Sequence, residues 1–161
     1  MTATPLSSDE KLLISSCLLG QPVRYDGKSK GLAELDWLQE LQQVGRLIVV
    51  CPEVAGGLPV PRPAAERVGE QVITQIGIDV TREFKAGADH ALRLCQAHNI
   101  RYALLKAKSP SCGNVEIYDG SFSGELVSGM GLTAELLTQN GVEVFSELQL
   151  DELQQRLFSK R

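Results

Sequence analysis

Cys17, Cys51 and Cys112 are the residues of this chain best placed to do chemistry. Cys17 ends the apolar run Leu12-Leu13-Ile14-Ser15-Ser16, Cys51 ends Leu47-Ile48-Val49-Val50, and Cys112 lies in Ser109-Pro110-Ser111-Cys112-Gly113, a loop after the run Ile100 to Leu105. If the three runs are neighbouring parallel strands, their carboxyl ends converge on one crevice, where open α/β sheets bind ligands. Pro52 and Gly113 turn the backbone directly after two of the cysteines and leave the sulfurs exposed. Three thiolates meeting there make a metal or cluster site with one coordination position unfilled, and an unfilled position can take a substrate. The cysteines stand too far apart in sequence for a zinc finger, whose ligands come in close pairs. Their types and spacing leave three readings open: a catalytic zinc, an iron–sulfur cluster with one non-cysteine corner, or unrelated buried thiols.

Residues beside the cysteines supply candidate partners. Glu53, two positions after Cys51, is a general base if the pocket is dry, or else a solvated loop carboxylate. Ser109 and Ser111 flank Pro110 and can bind a substrate oxygen or relay a proton, or simply cap a turn. Asp26, in Tyr25-Asp26-Gly27, reads first as a turn residue. His90 and His98 both fall on a long helical segment away from the strand ends, which argues against a Cys–His nucleophile pair. Gly129-Met130-Gly131-Leu132-Thr133-Ala134 fits a dinucleotide-binding pattern only superficially, because no acidic residue follows a second strand at the required distance. A glycine turn feeding a helix is the better reading.

The elements that must position these residues follow from periodicity. Strands are expected at 12–16, 47–50, 100–105 and 142–145, with 47–50 buried on both faces. Helices are expected at 32–44, stopped by Gly45, from Asp79 or Thr81 to about 99, at 132–139 before Asn140-Gly141, and at 147–158. Cys95 falls on the apolar stripe of the second helix with Phe84, Ala88 and Ala91, so it reads as an inert core thiol. Segment 20–31 is loop, and 55–63, with three prolines, is extended and stiff. Residues 70–78 read as a short strand or hairpin, and 114–127, around Tyr118-Asp119-Gly120, as a small hairpin. The expected fold is therefore α/β: one open, mainly parallel, Rossmann-like sheet flanked by helices, with a small hairpin insertion. Residues 1–10 read as a flexible amino terminus and 11–161 as a single domain.

At 161 residues the chain can bury a core without staples. A net charge of −4 provides no global basic field, so extensive nucleic-acid binding is not expected, although Arg62, Arg67, Lys106 and Lys108 could form a local patch. No apolar stretch suits a signal peptide or a membrane span. The expected compartment is the cytoplasm, where thiols stay reduced and four cysteines need not mean two disulfides.

The motifs Ser16-Cys17-Leu18-Leu19-Gly20, Arg24-Tyr25-Asp26-Gly27, Cys51-Pro52-Glu53, Gly56-Gly57-Leu58-Pro59-Val60-Pro61-Arg62, Asp79-Val80-Thr81, Lys106-Ala107-Lys108-Ser109-Pro110-Ser111-Cys112-Gly113 and Gly129-Met130-Gly131-Leu132-Thr133-Ala134 occur in one order. In this the chain resembles the thiouracil desulfidase family, formerly domain of unknown function 523, from about Lys11 to Glu147. The resemblance implies a [4Fe-4S] cluster held by Cys17, Cys51 and Cys112, with the fourth iron left to bind the sulfur of a thiolated uracil. It implies a non-redox exchange of that sulfur for water, with Glu53 and Ser109 as the acid–base residues. Asp26, Ser111 and Arg62 are weaker candidates for holding the base. The implied partner is a small thiolated pyrimidine, and the expected state is a monomer or weak dimer. The alternatives are a non-catalytic iron–sulfur or sulfide carrier, and a desulfidase acting on thiolated tRNA.

Overall fold

A computed structural model describes residues 10–19 and 35–158. The loop expected at 20–31, with Asp26, and all of the amino-terminal segment except Glu10 lie outside the described residues.

Four short apolar strands form one parallel sheet. They are β1 (Leu12–Ser15), β2 (Leu47–Val50), β5 (Tyr102–Leu105) and β8 (Glu143–Ser146), in the order β2-β1-β5-β8. Alternate side chains enter opposite layers, as the pleat requires. Leu12, Ile14 and Leu104 pack with Leu38 and Leu41 of α1 (Asp36–Gln43) and with Leu153 and Leu157 of α5 (Leu150–Phe158). Leu13, Ala103 and Leu105 pack on the other face with Ala91 and Cys95 of α3 (Thr81–His98) and with Ala134 and Leu137 of α4 (Leu132–Gln139). Helices thus cover both faces of an open parallel sheet, as the sequence led us to expect. Among the described residues no helix is long and apolar enough to cross a membrane.

Some expectations need correction. β2 is not buried on both faces, and Val49 is exposed, because β2 is an edge strand of the described sheet and has a neighbour on one side alone. The run after Cys51 is helical rather than a bare turn: α2 (Pro52–Ala55) starts with a proline at its first position, where the missing N–H costs no hydrogen bond. The hairpin expected at 70–78 pairs β4 (Gln71–Thr74) with an earlier strand that periodicity did not reveal, β3 (Ala65–Val68). The second hairpin, β6 (Glu116–Tyr118) with β7 (Leu126–Ser128), lies where the turn signal put it.

Chain order places the site. From β1 the chain moves outward to β2, then returns across the sheet to β5 on β1's other side. Connections therefore leave in opposite directions at the carboxyl ends of β1 and β5, and a crevice opens at such a switch point.

Candidate functional site

Cys17 lies in the 3-10 turn Ser16–Leu19 that continues β1, and Cys51 directly follows β2. Cys112 is carried by the loop after β5. That loop is fixed by backbone bonds to the start of α4: Leu132 N donates to Pro110 O (2.9 Å), Thr133 N to Ser111 O (2.8 Å), and Gly131 N to Gly113 O (2.8 Å). A Cβ on Gly131 would stand 2.3 Å from the Ser111 carbonyl carbon, so glycine permits this approach. The same bonds occupy the amino end of α4, which rules out the pyrophosphate cradle of a dinucleotide site. The glycine-turn reading of 129–131 holds.

All three cysteines line one cavity of about 450 Å³ at the carboxyl ends of β1, β2 and β5. Glu53, Arg62, Lys106, Lys108 and Ser109 line it too. The four cysteines are thiols rather than disulfides. Cys95 packs in the core between α3 and the sheet, away from the cavity, and its thiol is pushed up to about 11 by burial. His90 and His98 lie on α3 and do not line the cavity.

The electrostatics of the thiols set a condition on what they can hold. Burial pushes Cys112 up to about 12, and the charges of Glu53, Cys17 and Cys51 act in the same direction, while the Ser15 hydroxyl, 3.6 Å from the sulfur, opposes them. Burial also raises Cys51, partly offset by the backbone N–H groups of Val54 and Glu53 at the start of α2. Such thiols keep their protons at neutral pH unless metal charge replaces them. Among the described residues, no three His, Cys, Asp or Glu side chains are gathered tightly enough to chelate a single ion. Three soft thiol donors around one cavity suit an iron–sulfur cluster, whose thiolates sit on separate irons.

Glu53 and Arg62 form one unit. The stiff 55–63 segment leads Arg62 back toward α2, where Nε and Nη2 donate to Glu53 Oε1 at 3.0 and 2.8 Å and Nη1 donates to Pro59 O at 2.9 Å. Both side chains are largely buried. Burial pushes the Glu53 carboxyl above the ordinary range, and Arg62 pulls it back only in part. A buried carboxyl group on the cavity wall, held in place by a fixed guanidinium, can exchange a proton with a molecule in the cavity.

The two serines separate. Ser109 lines the cavity, and its Oγ accepts the N–H groups of Cys112 (2.7 Å) and Ser111 (3.1 Å), so it caps the cysteine loop while its hydroxyl hydrogen remains to be donated. Ser111 is fully buried, bonded to Thr133 Oγ1 at 2.9 Å, and absent from the cavity lining. The structure places it away from the cavity, where it pins the cysteine loop to α4.

The cavity also has walls that sequence reasoning missed. Glu66 of β3, Tyr118 of β6, and Phe122 and Gly124 of the β6–β7 turn are part of its lining. Tyr118-Asp119-Gly120 was legible as a turn, but nothing local says that this turn folds over the cysteines.

Comparison with known proteins gives this arrangement its relatives. A Bacillus subtilis (strain 168) protein, the uncharacterized YbbK, is 36% identical over 152 residues, covering 88% of this chain and 99% of that protein. A solved structure described as a [4Fe-4S]-dependent thiouracil desulfidase, TudS, matches with a TM-score of 0.89 and 57% identity, covering 92% of this chain and 97% of that one. The family model for 2-thiouracil desulfurase matches residues 12–149, a span that holds all three cavity cysteines, Glu53 and Ser109. The chain belongs to the 2-thiouracil desulfurase family.

Proposed function

We propose that this protein removes sulfur from a thiolated uracil, giving uracil and hydrogen sulfide, with a [4Fe-4S] cluster held by Cys17, Cys51 and Cys112. The observation that carries the reading is the meeting of three thiols from the ends of β1, β2 and β5 with the Glu53–Arg62 pair in one cavity. The likeness to a [4Fe-4S]-dependent thiouracil desulfidase at 57% identity supports the choice of cofactor and substrate. When bound, a cluster with three cysteine ligands offers one iron as a Lewis acid toward the substrate sulfur.

The chain's own residues supply the proton chemistry. Glu53 takes a proton from the water that attacks the ring carbon, and Arg62 keeps the carboxylate aimed and stabilises its charge. A C–O bond forms and the C–S bond breaks. The sulfur leaves as hydrosulfide, and no electrons are exchanged with an outside donor. Ser109, its oxygen fixed by two backbone N–H groups, gives a hydrogen bond to the ring nitrogen on which charge develops, and Glu53 returns the proton it took from water to the departing hydrosulfide, giving hydrogen sulfide.

A small base suits the cavity better than a polynucleotide. Arg62 is paired with Glu53, Arg67 with Glu135, and Lys106 with Glu147, so carboxylates of the same chain offset three of the four cations of the local basic patch. Protein reconstituted with iron and sulfide without air should be brown and release sulfide from thiouracil over many turnovers. Glu53→Ala should keep the visible absorption and lose about 100-fold or more in kcat. Cluster-loaded protein that releases no sulfide from thiouracil would overturn the proposal. Thiolated tRNA and thiouridine nucleotides, assayed in parallel, separate the polynucleotide substrate from the free base.

A further inference from the structure

Two antiparallel hairpins, separate in sequence, are joined beside the cavity by one buried carboxyl group. Glu66 of β3 is 8% exposed, and its Oε1 accepts the N–H of Gly120 at 2.8 Å and that of Phe122 at 3.1 Å, both from the β6–β7 turn. A Cβ on Gly120 would lie 2.3 Å from Val68 Cγ2, so the turn also sits hard against β3. Phe122 has φ +56°, a left-handed conformation that a bulky residue seldom adopts and that surrounding contacts must maintain. The Phe122–Glu66 bond is such a contact. The consequence is that Phe122 and Tyr118 join Cys17, Cys51, Cys112 and Glu53 in the lining of one cavity.

Neither the thiols nor the Glu53–Arg62 pair is positioned by these hairpins, because Cys17 lies in the turn after β1, Cys51 and Glu53 at α2, Arg62 in the 55–63 segment, and Cys112 in the loop pinned to α4. An aromatic side chain held in an unfavourable backbone conformation by a buried carboxyl group has another use. A thiolated pyrimidine is flat and offers a π-face, and aromatic rings bind such faces whatever the substituents at the rim. From this we infer that Phe122 is a specificity-determining residue, the aromatic wall on which the pyrimidine ring stacks, and that Glu66 is the positioning residue that holds it there. The inference rests on the proposed desulfidase reading for the identity of the base.

The test separates binding from chemistry. In cluster-loaded protein, Phe122→Ala should keep its iron content and visible absorption, while KM for thiouracil rises about tenfold or more, the loss of one base–aromatic stack. The loss should fall on KM rather than kcat. Calorimetric titration with uracil, which has no sulfur, should show the same weakening. Phe122→Tyr, which keeps a ring, should retain uracil binding, and Phe122→Leu should lose it. Glu66→Ala should reproduce the Phe122→Ala defect, Glu66→Gln, which keeps an acceptor oxygen, should rescue it, and the double variant should be no worse than either single one. Should Glu66→Ala fail to fold, amide exchange in the unaltered protein reads the clamp directly: the Gly120 and Phe122 amides should be protected, and rapid exchange there overturns the positioning role. Wild-type protein that turns over thiouracil while Phe122→Ala binds uracil as tightly would sink the stacking wall and leave the desulfidase reading intact. Loaded wild-type protein that releases no sulfide would instead defeat the desulfidase reading.

Discussion

Four cysteines of one chemical type have two fates, decided by what lies around each sulfur. Cys17, Cys51 and Cys112 line a cavity beside Glu53 and Arg62, and Cys95 is packed among Leu13, Ala91 and Ile100. The contrast yields a clean test. Cys17→Ser, Cys51→Ser and Cys112→Ser should each reduce bound iron to near background after anaerobic reconstitution, because a hydroxyl is a poor substitute for a soft thiolate. Cys95→Ser should keep its iron and lose stability by roughly 1–3 kcal/mol, the cost of placing an unpaired hydroxyl in an apolar core. Iron analysis together with a thermal melt checks both halves, and loss of iron in Cys95→Ser would undo the division. Residue-scale legibility was good where chemistry is local. Cys51, Pro52 and Glu53 are neighbours in sequence and stay neighbours in the site. The capping role of Ser109 involves residues two and three positions ahead.

At the scale of elements, α2 must be held so that Cys51 and Glu53 both reach the cavity, and it is held by direct contact of backbones. A Cβ on Gly87 of α3 would lie 1.9 Å from the Pro52 carbonyl oxygen, and one on Gly56 the same distance from the Glu83 oxygen. Alanine is normally the better helix former by about 1 kcal/mol, but a contact that close cannot be relieved without moving α2. Gly87→Ala should therefore destabilise the fold by about 1–3 kcal/mol and lower cluster uptake, whereas Ala86→Gly, on the exposed face of the same helix, should cost stability alone. Equal iron content in the two variants would show that α2 is not positioned through Gly87. The apolar stripe of α3 was legible in Phe84, Ala88, Ala91 and Cys95, yet Gly87 was not, because its importance depends on a carbonyl that periodicity cannot see. β3 escaped detection for the same reason. Its inward residue is Glu66, and the N–H groups that satisfy it come from a turn far along the chain. Hydrophobic pattern reveals elements that bury apolar groups, and it misses elements that bury a satisfied polar one.

Over the whole molecule, the carboxyl ends of β1, β5 and β8 are tied across the sheet by polar bonds. The Ser15 hydroxyl at the end of β1 donates to Cys112 Sγ and accepts the Lys106 N–H at 3.2 Å. Glu147, just past β8, receives Lys106 Nζ at 2.8 Å and the Ala107 N–H at 2.8 Å, so it holds the stretch that leads into Ser109 and Cys112. Burial pushes the Glu147 carboxyl up, but the Lys106 ammonium, the Ala107 N–H and its own backbone N–H together bring it below the ordinary range. A carboxyl group with a lowered folded-state pKa adds stability above its unfolded pKa, here about 4.5, and that stability is lost as the pH falls through the folded value. At pH 7, Glu147→Gln should lose about 2 kcal/mol, a charged hydrogen-bond set exchanged for a neutral one, and melt roughly 4–8 °C lower. The gap between the two proteins should stay constant down to about pH 5 and narrow progressively below 4.5, because the unfolded wild-type chain takes up the proton there while the folded one takes it up only at its lower value. The other lowered carboxyls, those of Asp79 and Asp119, are common to both proteins and cancel in the difference. A gap that persists unchanged to pH 3.5 would mean that the Glu147 charge contributes nothing and that shape alone holds the loop.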